Sequence, residues 1–186
     1  MNFNDHSTLA GRHAFLSASN YHWINYTDQK LEARWHTVRA AVLGTQIHAF
    51  AMMAIQLGIK QARTQKTLNM YVNDAIGYQM TCEQPLRYSD NAFGTADTIS
   101  FRRGLLRIHD LKTGITPCSF NQLLVYAALF CLEYEMSPFD IEIELRIYQR
   151  DEVLIEIGNP EAVLHIMDKI VHFDMQIELF KERSGA

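Results

Sequence analysis

The sequence is short of the residues that staple, kink or anchor a chain. There are only three cysteines among 186 residues, Cys82, Cys118 and Cys131. That is an odd number, so no closed disulfide framework is expected. Three thiols also fall short of the four that an iron–sulfur cluster usually takes, and no cysteine pair has the spacing of a zinc or iron–sulfur site. The four prolines, at 85, 117, 138 and 160, fall where elements begin or end, as a residue that blocks helix and ladder hydrogen bonds should. The longest uninterrupted apolar run, residues 123–132, is about half of what a bilayer demands, so no membrane span and no membrane partner is expected. The first residues are polar and carry no apolar core of a secretory signal. With free thiols, this predicts a reducing, cytoplasmic location. There is no Gly-rich phosphate loop, no GxGxxG, no HExxH and no Gly-x-Ser-x-Gly.

What is present is ordinary globular material, with 48% hydrophobic and 20% charged residues. No linker, low-complexity tract or repeat interrupts it, which predicts a single domain over 1–186. The net charge of −4 is unevenly spread: residues 1–115 hold 12 Lys/Arg and 8 Asp/Glu, and residues 116–186 hold 5 and 13. An acidic chain is not built to coat nucleic acid, although a local basic surface can still meet phosphate.

Periodicity predicts a short helix over 16–26, capped by Ser17 or Ser19, a long helix over 35–59 stopped near Gly58, and a further helix over 68–77. The period then changes. Residues 80–88, 92–101 and 105–112 read as strands, the last two joined at Arg103-Gly104. A helix over 119–134, strands over 141–149 and 153–157, and a final helix from Asn159-Pro160 follow. The last carries Val163, Ile166, Ile170, Phe173, Ile177 and Phe180 as one apolar stripe. This order favours an α/β fold with a mixed central β-sheet flanked by helices.

The sharpest chemical signal is Asp110-Leu111-Lys112 at a strand end. Alternation points Asp110 and Lys112 the same way, on the face of Leu106 and Ile108. In a hairpin about Arg103-Gly104, Asp97 lies as far from the turn as Asp110 and becomes its cross-strand neighbour. Two adjacent carboxylates repel, and a divalent cation that favours oxygen, Mg²⁺ or Mn²⁺, resolves the repulsion. A lysine beside them can orient or deprotonate a metal-bound water, or neutralise charge in a phosphoryl transition state. The plainer reading is a solvated ion pair. His48 lies on the helix face of Ala41, Gly44, Ala51 and Ile55, as either a core histidine or a metal ligand. Gln122 and Tyr126, four apart, share a helix face that is either an amphipathic edge or part of the same site.

Taken in order, Gly44-Thr45-Gln46-Ile47-His48, Gly94-Thr95-Ala96-Asp97, the stretch LRIHDLKTG over 106–114 and QLLVY over 122–126 resemble the PD-(D/E)XK nuclease superfamily. The closest likeness is to its RecB-like and lambda-exonuclease-like branch of small phage-type exonucleases. The resemblance implies a restriction-endonuclease-like core and a metal-dependent DNA exonuclease hydrolysing phosphodiester bonds, serving phage DNA recombination or processing. In that reading Asp97 and Asp110 bind metal, the Leu111 carbonyl joins them, and Lys112 is the catalytic lysine. His48 is the histidine ligand of the helix, and Gln122 and Tyr126 form the helical Gln-x3-Tyr motif. Glu83 stands where some relatives carry another acid. The implied cofactor is Mg²⁺ or Mn²⁺ and the implied partners are DNA, a single-strand annealing protein and further copies of the chain. The implied location is the host cytoplasm. The alternatives are an endonuclease on the same fold and a catalytically silent DNA-binding or assembly module. Ala96 stands where the family name has proline, and the four cysteines of the cluster-bearing subgroup are missing.

Overall fold

The computed structural model describes residues 5–9, 11 and 13–184, and the chain divides into two compact units, residues 1–45 and 46–186. The first unit holds two 3-10 segments, Ser7–Leu9 and Ala18–Asn25, and the first part of a long helix α1, Asp28–Gln56. The expected short helix over 16–26 is therefore a 3-10 segment, broken at Asn20 (φ −112°, ψ 57°). Its expected serine cap is not made. Ser17 and Ser19 pair their hydroxyls with each other at 3.3 Å, and Trp23 Nε1 donates to the Ser17 carbonyl at 2.9 Å.

α1 starts seven residues before its expected start and ends near Gly58, as expected. Gly58 takes φ +67°, Gly58 N–H donates to the Ile55 carbonyl, and Ile59 N–H donates to that of Ala54. This double bond is the Schellman stop, and a left-handed residue is what it needs. α1 also corrects the expectation of no membrane-length segment: it is long and apolar enough to cross a bilayer by length and composition. Residues 40–59 contain no charged side chain. Thr45, Gln46 and His48 break the apolar run without adding fixed charge, so a count of uninterrupted apolar residues misses it.

The second unit is α/β. Helix α2 (Thr67–Gly77) precedes strands β1 (Thr81–Ser89), β2 (Ala92–Arg102) and β3 (Leu105–Leu111). Helix α3 (Asn121–Glu133) crosses to β4 (Glu142–Gln149), β5 (Glu152–Ile157) follows, and α4 (Pro160–Ser184) ends the described chain. The five strands lie in sequence order, antiparallel except for β3 beside β4. Parallel neighbours need a crossover, and α3 supplies it. The sheet is thus mixed and flanked by helices.

Each face has its own core. Leu106, Ile108, Ile143, Leu145 and Ile147 meet Leu123, Ala127 and Phe130 of α3, and Val163 of α4 closes behind. Fully burying such a side chain contributes about 1.5–3 kcal/mol. On the other face Leu111 and Tyr148 meet Tyr71, Val72 and Ala75 of α2 and Ala51, Ala54 and Ile55 of α1. The stripe of α4 divides. Val163, Ile166 and Ile170 pack on the core, while Phe173, Ile177 and Phe180 are exposed. At 1.5 Å per residue α4 is roughly 37 Å long and α3 roughly 20 Å, so α4 outruns its partner.

β2 changes faces midway. Ala96 belongs to the α3 side, and so does Ile99, three residues on. Strict alternation forbids that pairing of an even with an odd position. Thr98, opposite Cys82, lies on the α2 side instead. The slip falls at Asp97, and the residue facing it across the ladder, Glu83, takes φ +48°.

Candidate functional site

The ladder between β2 and β3 runs from Arg102 opposite Leu105 to Thr98 opposite His109. One more step brings Asp97 to the level of Asp110, as the hairpin arithmetic expects. Asp97 does not continue the ladder with its backbone. Its Oδ2 accepts the Leu111 N–H at 3.1 Å, and His48 Nδ1 approaches the same oxygen at 3.6 Å. His48 therefore meets a carboxylate from the α1 face that also carries the buried Ala51 and Ile55. Leu111 enters the site through its N–H, while its side chain is buried on the opposite face.

Asp110 and Lys112 share a face. Lys112 Nζ donates to Asp110 Oδ1 at 3.0 Å and lies 2.9 Å from Oδ2. The second contact is an ion pair without hydrogen-bond alignment, and Asp110 Oδ2 accepts no hydrogen bond although it is buried. The ammonium also donates to Gln122 Oε1 at 2.8 Å, and Gln122 Nε2 donates to Tyr126 Oη at 3.0 Å. α3 thus presents its i, i+4 pair to the tip of β3. Lys112 is fixed from behind as well, since its backbone N–H donates to the Tyr148 carbonyl of β4 at 2.9 Å. The structure joins Asp110, Lys112, Gln122 and Tyr126 in one hydrogen-bonded run, and beside it on the same strand end Leu111 holds Asp97, with His48 at its edge.

The electrostatics are those of charges held out of water. Burial pushes the Asp110 carboxyl above its ordinary value, and the nearby Asp97 adds to the rise against the pull of Lys112. Asp97 is raised too, first by burial and then by Glu83, against the Leu111 N–H and His48. Burial acts to lower Lys112, yet its contact with Asp110 outweighs that, and the ammonium is held above its usual value. Lys112 is therefore a cation at neutral pH.

A divalent ion fits this donor set on one count in particular, the buried Asp110 oxygen without a hydrogen-bond partner beside a second raised carboxylate. Among the described residues no three His, Cys, Asp or Glu side chains are grouped closely enough to hold an ion by themselves. That is compatible with Mg²⁺, which keeps several waters and takes only one or two carboxylates.

Two contributors lie outside the residues expected to form the site. Gly94 is needed for a close approach: a Cβ there would stand 3.0 Å from Tyr126 Cε1. His109, between the two faces' landmarks, is fully buried against Tyr78 and Tyr148, and burial pushes it down to about 3, with Arg146 and Arg107 adding to the fall. Its Nδ1 lies 3.3 Å from the Tyr148 hydroxyl, and its Nε2 has no partner. The alternation of β3 places it opposite Asp110, but nothing in the sequence marks it as neutral. No protein-family model, curated protein or solved structure matches the chain.

Proposed function

We propose that this chain is a metal-dependent deoxyribonuclease of the PD-(D/E)XK type, built on a restriction-endonuclease-like core and acting as an exonuclease. One observation carries the reading: a buried and a half-buried carboxylate stand at one level of adjacent strands, and a strand-end lysine links the buried one to a Gln-x3-Tyr pair from the crossover helix through consecutive hydrogen bonds. A surface ion pair needs neither that burial nor that company.

Hydrolysis of a phosphodiester forms a P–O bond from water, breaks the P–O bond to the leaving oxygen, and delivers a proton to that oxygen. Mg²⁺ or Mn²⁺ held by Asp97, Asp110 and the Leu111 carbonyl, with His48 beside Asp97, would supply positive charge at the phosphate and a more acidic water. Lys112, already charged, serves as an electrostatic donor to the phosphoryl oxygens rather than as the base. Gln122 holds the Lys112 ammonium in place, and Tyr126 holds Gln122.

The test is cleavage of end-labelled linear duplex, single-stranded DNA and closed circular plasmid with Mg²⁺, Mn²⁺ or EDTA, using the protein beside Lys112→Ala. Metal-dependent loss of linear DNA alone, absent in the variant, is expected. Cutting of the circle moves the reading to an endonuclease. Parental activity in Lys112→Ala refutes the assigned site.

A further inference from the structure

A cavity of about 290 Å³ adjoins the proposed site and shares Lys112 with it. Ile47, Leu68, Leu111 and Ile115 form its apolar lining, and Arg150 adds a second cation. Arg150 comes from the β4–β5 turn, where Arg150 and Asp151 both take positive φ, +54° and +59°. Such a two-residue turn suits Asn or Gly better than arginine. It is pinned from outside. Asp151 Oδ1 accepts the backbone N–H and the hydroxyl of Thr67 at 2.9 and 3.1 Å, and Oδ2 accepts Lys66 Nζ at 2.6 Å. The Asp151 N–H donates back to Thr67 Oγ1 at 2.7 Å. Asp151 therefore caps α2 across 84 residues and fixes the turn that carries Arg150, while its own charge is bound to Lys66.

An apolar recess with Arg150 at its rim suits a ligand with a flat, weakly polar plane joined to an anion, the Lys112 ammonium being held by Asp110 and Gln122. Its volume of about 290 Å³ lies just below the ligand-pocket range of roughly 300–1,000 Å³, room for one ring system and not for a base pair. A base inside a duplex is stacked and paired, so it enters such a recess only when unpaired. We propose that the cavity receives the unpaired base of the nucleotide next to the scissile phosphate, with Arg150 on that nucleotide's phosphate. The substrate is then single-stranded or frayed DNA, taken without regard to sequence because the walls offer little to read a base edge. This rests on the nuclease reading.

Binding is measured by fluorescence anisotropy in EDTA, where no cleavage intervenes. The ligands are a labelled oligothymidylate, the same length of abasic strand, and a blunt duplex. The proteins are the parent, Arg150→Gly, whose new residue suits φ +54° and keeps the turn, and Ile115→Asp, at a position 81% exposed and thus safe for folding. The parent is expected to bind the oligothymidylate about tenfold more tightly than either other ligand, and each variant is expected to lose about tenfold on it. Equal affinity for the thymidylate and abasic strands, or unchanged affinity in both variants, overturns the pocket while leaving the nuclease reading intact. No affinity for any DNA, with no metal-dependent cleavage, overturns both.

Discussion

Acidification should expose His109, and the size of the effect follows from its burial. The imidazole is fully buried and held down to about 3, against 6.5 in an exposed chain. A base whose folded value is depressed favours the folded state while neutral. Its contribution is complete above pH 6.5 and is lost as pH falls from 6.5 toward 3. The whole difference is about 5 kcal/mol, and the part lost by pH 5 is about 2 kcal/mol. Asp97 and Asp110 carry the opposite sign, because carboxylates raised by burial gain stability as they protonate. The comparison with His109→Leu removes them. Leucine has no Nε2 to leave unsatisfied, and the Tyr148 hydroxyl keeps its 2.7 Å hydrogen bond to Asp74. Urea unfolding followed by far-UV circular dichroism at pH 7.5 and pH 5.0 is the assay, since both tryptophans lie in residues 1–45 and the sheet in residues 46–186. Between the two pH values the parent should lose about 2 kcal/mol more than the variant, a midpoint difference of about 1 M urea. Equal losses in the two proteins would refute a neutral, buried His109.

Asp110→Asn should raise the thermal midpoint without metal, because it removes a buried charge whose raised value marks it as unfavourable at neutral pH. The parent should gain stability with Mg²⁺, about 2.7 kcal/mol with ion at a hundredfold its Kd, and the same variant should lose that gain; calorimetry with and without Mg²⁺ reads both. Gly94→Ala should push the Tyr126 ring by a few tenths of an ångström and, through Gln122, loosen Lys112. Cleavage kinetics should show a lower kcat with KM little changed. Gly158→Ala would set a Cβ 2.7 Å from Ile143 Cγ2 and should cost about 1–3 kcal/mol in urea unfolding.

The strands of β1 to β5 are readable to within a residue or two because each is bracketed by turn chemistry, such as Arg103-Gly104. The meeting of Asp97 with Asp110 is readable for the same reason: counting from a known turn fixes the register. The Lys112–Gln122–Tyr126 chain is half legible. Helical spacing puts Gln122 and Tyr126 on one face, but only the crossover geometry of α3 decides that this face meets the end of β3. The slip of β2 at Asp97 is illegible, because the positive φ that accompanies it belongs to Glu83, a residue with no preference for that conformation. The capping of α2 by Asp151 is invisible for a different reason: local rules look for a cap at Lys66 or nearby, and the partner lies on a turn between distant strands.

The parallel seam between β3 and β4 sets when in the life of the chain the site can exist. Asp110 pairs with Ile147, Leu111 with Tyr148, and the Lys112 backbone is tied to Tyr148. During synthesis the residues of the proposed site, the last of them Tyr126, emerge well before the strand that holds them in position. Parallel pairing across a helix is a non-local contact that forms late compared with hairpins such as β2–β3. A nascent or truncated chain ending before β4 carries every chemical group of the site and the hairpin that aligns Asp97 with Asp110, but not the Tyr148 anchor of Lys112. On the proposed reading, any activity would await the closing of the crossover onto β4.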